Sequence, residues 1–164
     1  MKERRVNMSK TFEFTQGKLP ILVSMPHNGY AIPEGIMVNM TQSAQQSVDT
    51  DWFMDQIYQF SVDMGCSLIK PLFSRYVIDL NRPDNNESLY PGADTTELCP
   101  TSQFNFQPIY ELDKKPTAKD ISERIERYWR PYHEQLKQAL SEIKKEHGYA
   151  LLFEAHSICS TVPR

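Results

Sequence analysis

The sequence predicts an α/β protein, a sheet covered by helices. Three observations carry that expectation: short apolar runs that stop at Pro, Gly or ionisable residues, long stretches with helical apolar spacing, and the alternation of the two along the chain. The first apolar run, Ile21 to Val23 in "LPILVSMPHNGYAIPEGI", is a short strand that enters a loop of Pro, Asn and Gly, with His27 at its exit. Next, "SAQQSVDTDWFMDQIYQFSVDMG" sets Val48, Trp52, Ile57, Phe60 and Met64 at near-helical spacing and stops at Gly65, which predicts a helix. "CSLIKPLF" and "RYVIDL" predict two further strands, the first ending near Phe73 and the second running into "NRPDNN". From Pro83 to Lys115 the chain is rich in Pro, Asn, Asp, Thr and Gly without an apolar period, and a loop of that length is expected to be functional. From about Ala118 to Glu146, the residues Ile121, Ile125, Tyr128, Trp129, Tyr132, Leu136, Leu140 and Ile143 form one helical stripe, with Pro131 as a potential kink and Gly148 past the end. The last run, "YALLFEA", predicts a buried strand that delivers Glu154 and His156 at its exit. In open α/β sheets ligands bind where strands run out, so these exits are the places to look for chemistry.

At 164 residues the chain is expected to form a single domain, residues 1–164, with a core of its own. With 40% hydrophobic and 24% charged residues and a formal charge of −3, it lacks the cationic excess that a phosphate backbone attracts, so nucleic acid is not an expected partner. No apolar run approaches the ~20 residues needed to cross a bilayer, and the basic start "MKERRVNMSK" is not followed by an apolar stretch, so neither a membrane partner nor export is expected and the expected location is the cytoplasm. The 3 cysteines, Cys66, Cys99 and Cys159, include no CxxC pair, which argues against a disulfide framework or a zinc knuckle.

His27 and His156 each follow an apolar run, and two such histidines invite a shared metal. Hydrolytic zinc is commonly held by two imidazoles and a carboxylate, with a remaining position for water. Asp49, Asp51 or Asp55 would supply the carboxylate, and Asp51 is preferred because "VDTDW" opens the predicted helix and can turn toward the strand ends. The same residues read equally well as a turn histidine and helix caps. Around "SRYVIDLNRPDNN", Arg75, Asn81 and Arg82 together suit the recognition of carboxylates, since a guanidinium offers a planar fork and Asn a neutral donor and acceptor. A strand end salt-bridged through Asp79 is the structural alternative. His133 and His147 read as structural. Cys159, close behind His156, leaves a cysteine hydrolase as a competing class, although such a nucleophile needs a partner that lowers its pKa.

In order along the chain, "VSMPHNG", "DTDWFMDQIY", "SRYVIDLNRPDNNESLYPGADTTELCPTSQF", "YWRPYHEQL" and "LLFEAHSICSTVPR" resemble the N-formylglutamate amidohydrolase family. The resemblance covers nearly the whole chain, and its most specific part is Ser74 to Phe104. It implies a three-layer α/β/α sandwich like those of zinc-dependent exopeptidases and aspartoacylases, and hydrolysis of N-formyl-L-glutamate to formate and L-glutamate in histidine degradation. By position it implies His27, Asp51 and His156 as ligands of a divalent metal, expected to be Zn2+, with nickel, cobalt or iron(II) left open. Arg75, Asn81, Arg82 and Arg164 would meet the carboxylates of a small acidic N-acyl amino acid. Family members tend to carry Asp where this chain has Glu154, and Glu154 is expected to be buried behind a histidine and to support it. Because family members continue beyond the point where this sequence stops, the C-terminal part of the fold, and with it the general base, is expected to be missing. An inactive fragment or acidic-ligand binding module, a complementing chain and a homo-oligomer therefore stand as alternatives.

Overall fold

The structure is a computed structural model and describes residues 10–85, 87 and 96–158. Its centre is a four-stranded sheet of order β1-β3-β2-β4, formed by β1 (Phe12–Thr15), β2 (Ile21–Ser24), β3 (Ser67–Pro71) and β4 (Leu151–Glu154). β2 runs parallel to both β3 and β4, and β1 closes the far edge antiparallel to β3. Side chains alternate across a strand, and the chain uses both faces. Leu22 and Ile69 enter one apolar cluster together with Tyr128, Tyr132, Ala139 and Ile143, while Val23 and Leu68 enter a second with Met54 and Cys66. The sheet therefore carries a core on each face, and the expected α/β class holds.

The first cluster is covered by one long helical stretch: α4 (Ala118–Arg124), a π-turn (Ile125–Trp129) and α5 (Arg130–His147). It starts where Thr117 and Asp120 cap each other reciprocally and stops at Gly148, whose left-handed φ of 83° suits a residue without Cβ. Pro131 cannot donate to the carbonyl four residues earlier and its ring crowds that carbonyl; the wider π-turn just before it accommodates both effects. The expected helix and its irregularity at Pro131 are thus both present. None of the helices among the described residues is long and apolar enough to cross a membrane.

Four expectations need correction. The helix expected over residues 43–65 is broken into a 3-10 turn (Ala44–Gln46), α2 (Met54–Ile57) and α3 (Gln59–Asp63), because Ser47 and Phe53 adopt left-handed backbone with φ of 49° and 63°. Its apolar stripe faces outward: Val48, Trp52, Ile57, Phe60 and Met64 are exposed, whereas Met54 and Ser61 are buried. The run "RYVIDL" is no strand but a buried succession of turns. Its amides bond to loop carbonyls, as Val77 does to Ser74 and Asp79 to Leu98, while Tyr76, Val77, Ile78 and Leu80 fill the core. β4 is a strand as expected, yet all four of its residues are exposed: it lies at the sheet edge, where neighbouring elements cover it only in part, as where Phe153 meets the Tyr58 ring with centroids 5.8 Å apart. Finally, β1 precedes the elements expected from sequence; its alternating "FEFT" is too short for periodicity to separate it from a loop.

Candidate metal centre

β2 and β4 pair in register, Ser24 against Glu154, and each ends just before a histidine. His27 and His156 thus leave neighbouring parallel strands at the same level, and their ring centroids lie 4.9 Å apart. Asp51 is brought to them from the loop before α2. Its N–H donates to the His27 carbonyl at 3.0 Å, and the Asn28 carboxamide donates to the Asp51 carbonyl at 3.2 Å. This pairing needs Gly29: a Cβ there would stand 2.2 Å from the Phe73 carbonyl oxygen, where the backbone passes on its way to the bridge between Ala31 and Phe73. One ligand atom from each of His27, Asp51 and His156 lies within 4.8 Å of the others. Asp51 Oδ2 is 3.2 Å from His156 Nδ1, 3.8 Å from His27 Nδ1, and accepts from the Ser157 N–H at 3.0 Å.

The three carboxylates considered from sequence separate cleanly. Asp49 accepts from the Tyr76 hydroxyl at 2.6 Å and from the Phe104 N–H at 2.9 Å, pinning the loop around Phe104 to the site. Asp55 forms an ion pair with Lys70 at 3.0 Å. Asp51 alone joins the histidines.

His27 is held from behind. Its Nε2 lies 2.7 Å from Asp79 Oδ1, and Arg75 Nη2 donates to Asp79 Oδ2 at 2.7 Å. Burial lowers the His27 pKa, and the neighbouring carboxylates offset this only in part. Burial by itself would raise the Asp79 carboxyl, but His27, Arg75 and the Asn81 N–H outweigh it and hold that carboxyl well below the usual range. An ionised Asp79 facing a neutral imidazole fixes the tautomer: Nε2 carries the proton toward Asp79, and the Nδ1 lone pair is left for the cluster. Arg75 Nη1 approaches that Nδ1 to 3.4 Å, and its guanidinium lies over the Phe104 ring at 4.8 Å. Two imidazole nitrogens and a carboxylate, one imidazole braced by a second carboxylate, match the donor set of a borderline transition metal such as zinc.

The cluster opens into a cleft of about 340 Å³ lined by His27, Asp51, Arg75, Asn81, Phe104, His156, Ser157 and Ile158. A larger hollow of about 580 Å³ around Arg124 and Lys115 shares none of these residues and brings together no such ligand set. Of the carboxylate-reading residues expected from sequence, Arg75 and Asn81 reach the cleft. Arg82 is half-buried beside it without lining it, and Arg164 and Cys159 lie outside the described residues. Glu154 differs from expectation. It is exposed on the edge strand, and among the described residues it bonds to neither histidine. Sequence reasoning missed Asp79 as the partner of His27, although Arg75 and Asp79 at i and i+4 announced their own pairing. It also missed Phe104, for which no local pattern gave a signal.

The fold and this cluster define an α/β protein with a candidate transition-metal centre at the C-terminal ends of parallel strands. A family model described as N-formylglutamate amidohydrolase matches residues 19–164, and the chain belongs to that family. It is 41% identical over 156 residues to the N-formylglutamate deformylase of Pseudomonas putida and 38% identical over 156 residues to that of Pseudomonas aeruginosa, in both cases across 95% of this chain. The chain spans 58% of the length of these curated relatives. Among solved structures, N-formylglutamate amidohydrolase from Ralstonia eutropha JMP134 superposes with a TM-score of 0.74 at 26% identity, over 90% of this chain and 57% of that one. The gene product Atu2144 from Agrobacterium tumefaciens gives the same TM-score of 0.74 at 16% identity, over 95% and 60% respectively, and so shares the fold.

Proposed function

We propose that this chain carries the metal and substrate-recognition part of an N-formyl-L-glutamate amidohydrolase, which releases formate and L-glutamate and serves histidine degradation. The observation that carries the reading is the meeting of His27, Asp51 and His156 at the mouth of a cleft that also presents Arg75 and Asn81. The names of the relatives supply the substrate. In this reading residues 1–164 act as one domain of a three-layer sandwich related to zinc-dependent exopeptidases and aspartoacylases.

His27 Nδ1, His156 Nδ1 and Asp51 Oδ2 would hold a divalent metal, zinc by donor type, which when bound supplies Lewis acidity toward an amide oxygen and lowers the pKa of a water. The chain's own residues do the rest of the orientation. Asp79 keeps the proton of His27 on Nε2 and so keeps Nδ1 basic. Asn81, whose carboxamide makes no hydrogen bond among the described residues, offers a donor and an acceptor to a carboxylate in the cleft. Arg82, which forms no ion pair among them, adds charge from the cleft's shoulder, and Arg164 is proposed to join them. Phe104 covers the Arg75 guanidinium and shields it from water. Proton transfer to the departing amine needs a further group, because Asp51 is the only carboxylate lining the cleft among the described residues and it is committed to the cluster.

Calorimetry of N-formylglutamate on the zinc-loaded and chelator-treated chain, followed by a formate-release assay, tests the proposal. The expected result is binding that requires the metal, with formate release slow or undetectable for these residues by themselves. Equal binding with and without metal would instead favour an acidic-ligand binding module. Fast formate release that Glu154→Gln abolishes with metal still bound would show that the proton carrier has been wrongly placed.

A further inference from the structure

The long helix meets the cleft segment in an unusual way. Three of its side chains each donate to a main-chain carbonyl of residues 77–82: Arg124 to Val77 at 3.1 Å, His133 Nε2 to Leu80 at 2.9 Å, and Trp129 Nε1 to Arg82 at 2.8 Å. The last two carbonyls flank Asn81, the residue that lines the cleft with its carboxamide uncommitted among the described residues. Trp129 and His133 also stack on each other, with centroids 3.8 Å apart and planes inclined by 25°, so the two donors brace one another.

The π-turn makes this alignment possible. On an uninterrupted α-helix, positions 124 and 129 would point about 140° apart, and only one of the two could face the cleft segment. The extra residue accommodated between Ile125 and Trp129 brings them to the relation of an i, i+4 pair, about 40° apart, so that Arg124, Trp129 and His133 form one row. The tyrosines beside them, Tyr128 and Tyr132, then point into the core.

We infer that Trp129 and His133 are positioning residues for substrate recognition: aligned by the π-turn, they clasp the carbonyls on either side of Asn81 and fix its carboxamide, with Arg82 next to it, at the cleft. The inference deepens the proposed function and rests on it. Asp79, which serves the metal cluster from the same segment, accepts from the Asn81 N–H at 2.9 Å and, through its carbonyl, from the Arg82 N–H at 3.1 Å, yet it keeps two anchors outside the clasped residues, Arg75 on its carboxylate and the Leu98 carbonyl on its own N–H. Ligand recognition and metal binding should therefore separate when the clasp is loosened, which a general structural role would not produce.

The test measures zinc affinity and N-formylglutamate affinity of the zinc-loaded chain for wild type, Trp129→Phe, His133→Leu and His133→Gln. Trp129→Phe keeps a ring against His133 but loses the donor, and His133→Gln restores a donor that His133→Leu lacks. The expected result is a loss of N-formylglutamate affinity of about 3- to 10-fold in Trp129→Phe and His133→Leu, the size of one neutral hydrogen bond, with partial recovery in His133→Gln and zinc affinity within about 2-fold of wild type throughout. Ligand affinity unchanged in both donor-less variants, or zinc and ligand affinity falling together, would overturn the inference while leaving the proposed function standing. A wild-type chain that binds zinc but no N-formylglutamate would overturn both.

Discussion

β2 and β4 lie side by side in register, both apolar and both followed by a cluster histidine, yet their surroundings are opposite. Leu22 is 0% exposed and its cross-strand partner Leu152 is 36% exposed. The contrast continues at the exits: the His27 side chain is 6% exposed and held by Asp79, whereas the His156 side chain is 34% exposed and, among the described residues, meets Asp51 and the neighbouring ring of His27. The sheet gives both histidines the same height and direction. What it does not give is order in the imidazole itself, and for His27 that comes from Asp79 in the loop packed behind β2, a support without a counterpart at His156 among the described residues. The site is thus built with one rigid ligand and one that depends on its partners.

The comparison can be broken at the strands first. Leu22→Ala should destabilise the chain by about 2–5 kcal/mol because it opens a cavity between sheet and long helix, while Leu152→Ala should cost about 0.5 kcal/mol or less in denaturant titrations. Similar losses at both positions would mean that β4 is covered in solution. At the ligands, Asp79→Asn should weaken zinc binding about 10- to 100-fold, since His27 loses the acceptor that fixes its tautomer. Competition with a chelator measures this directly, and an unchanged affinity would show that His27 needs no such support.

A smaller effect comes from pH. Because burial lowers the His27 pKa below 6.5, the unfolded chain binds a proton that the folded chain refuses. Stability of the metal-free chain should be at its full value above pH 6.5 and fall below it, by at most about 1.4 kcal/mol per pH unit from this residue until its folded pKa is reached. His133, whose pKa burial also lowers, adds a contribution of the same sign. Removing His27 with His27→Gln should reduce the slope to what His133 supplies; a slope unchanged by the substitution would place the titrating group elsewhere.

How far these features could be read from sequence follows from their range along the chain. β2, β3, β4 and the helix over 118–147 were legible because apolar periodicity and capping are local. The cluster was legible for a different reason: histidines at strand exits read equally well as turn residues, and it was the family resemblance, matching them in order, that favoured a metal. "RYVIDL" misled because a buried turn needs the same apolar residues as a strand, and only its hydrogen-bond partners, Ser74 and Leu98, distinguish the two. The 43–65 stripe misled because Asp51 must turn back to His27, which breaks the helix that spacing alone implied. Glu154 was misplaced because burial of an edge strand depends on what lies over it, and no strand sequence encodes that.

The central claim is that His27, Asp51 and His156 bind one metal ion together, and titration of chelator-treated protein with cobalt(II) or zinc tests it most directly. The account predicts a single tight equivalent in the wild-type chain and none in the His27→Ala, His156→Ala double variant, with thermal unfolding still cooperative in both. An unchanged stoichiometry and affinity in the double variant would contradict it.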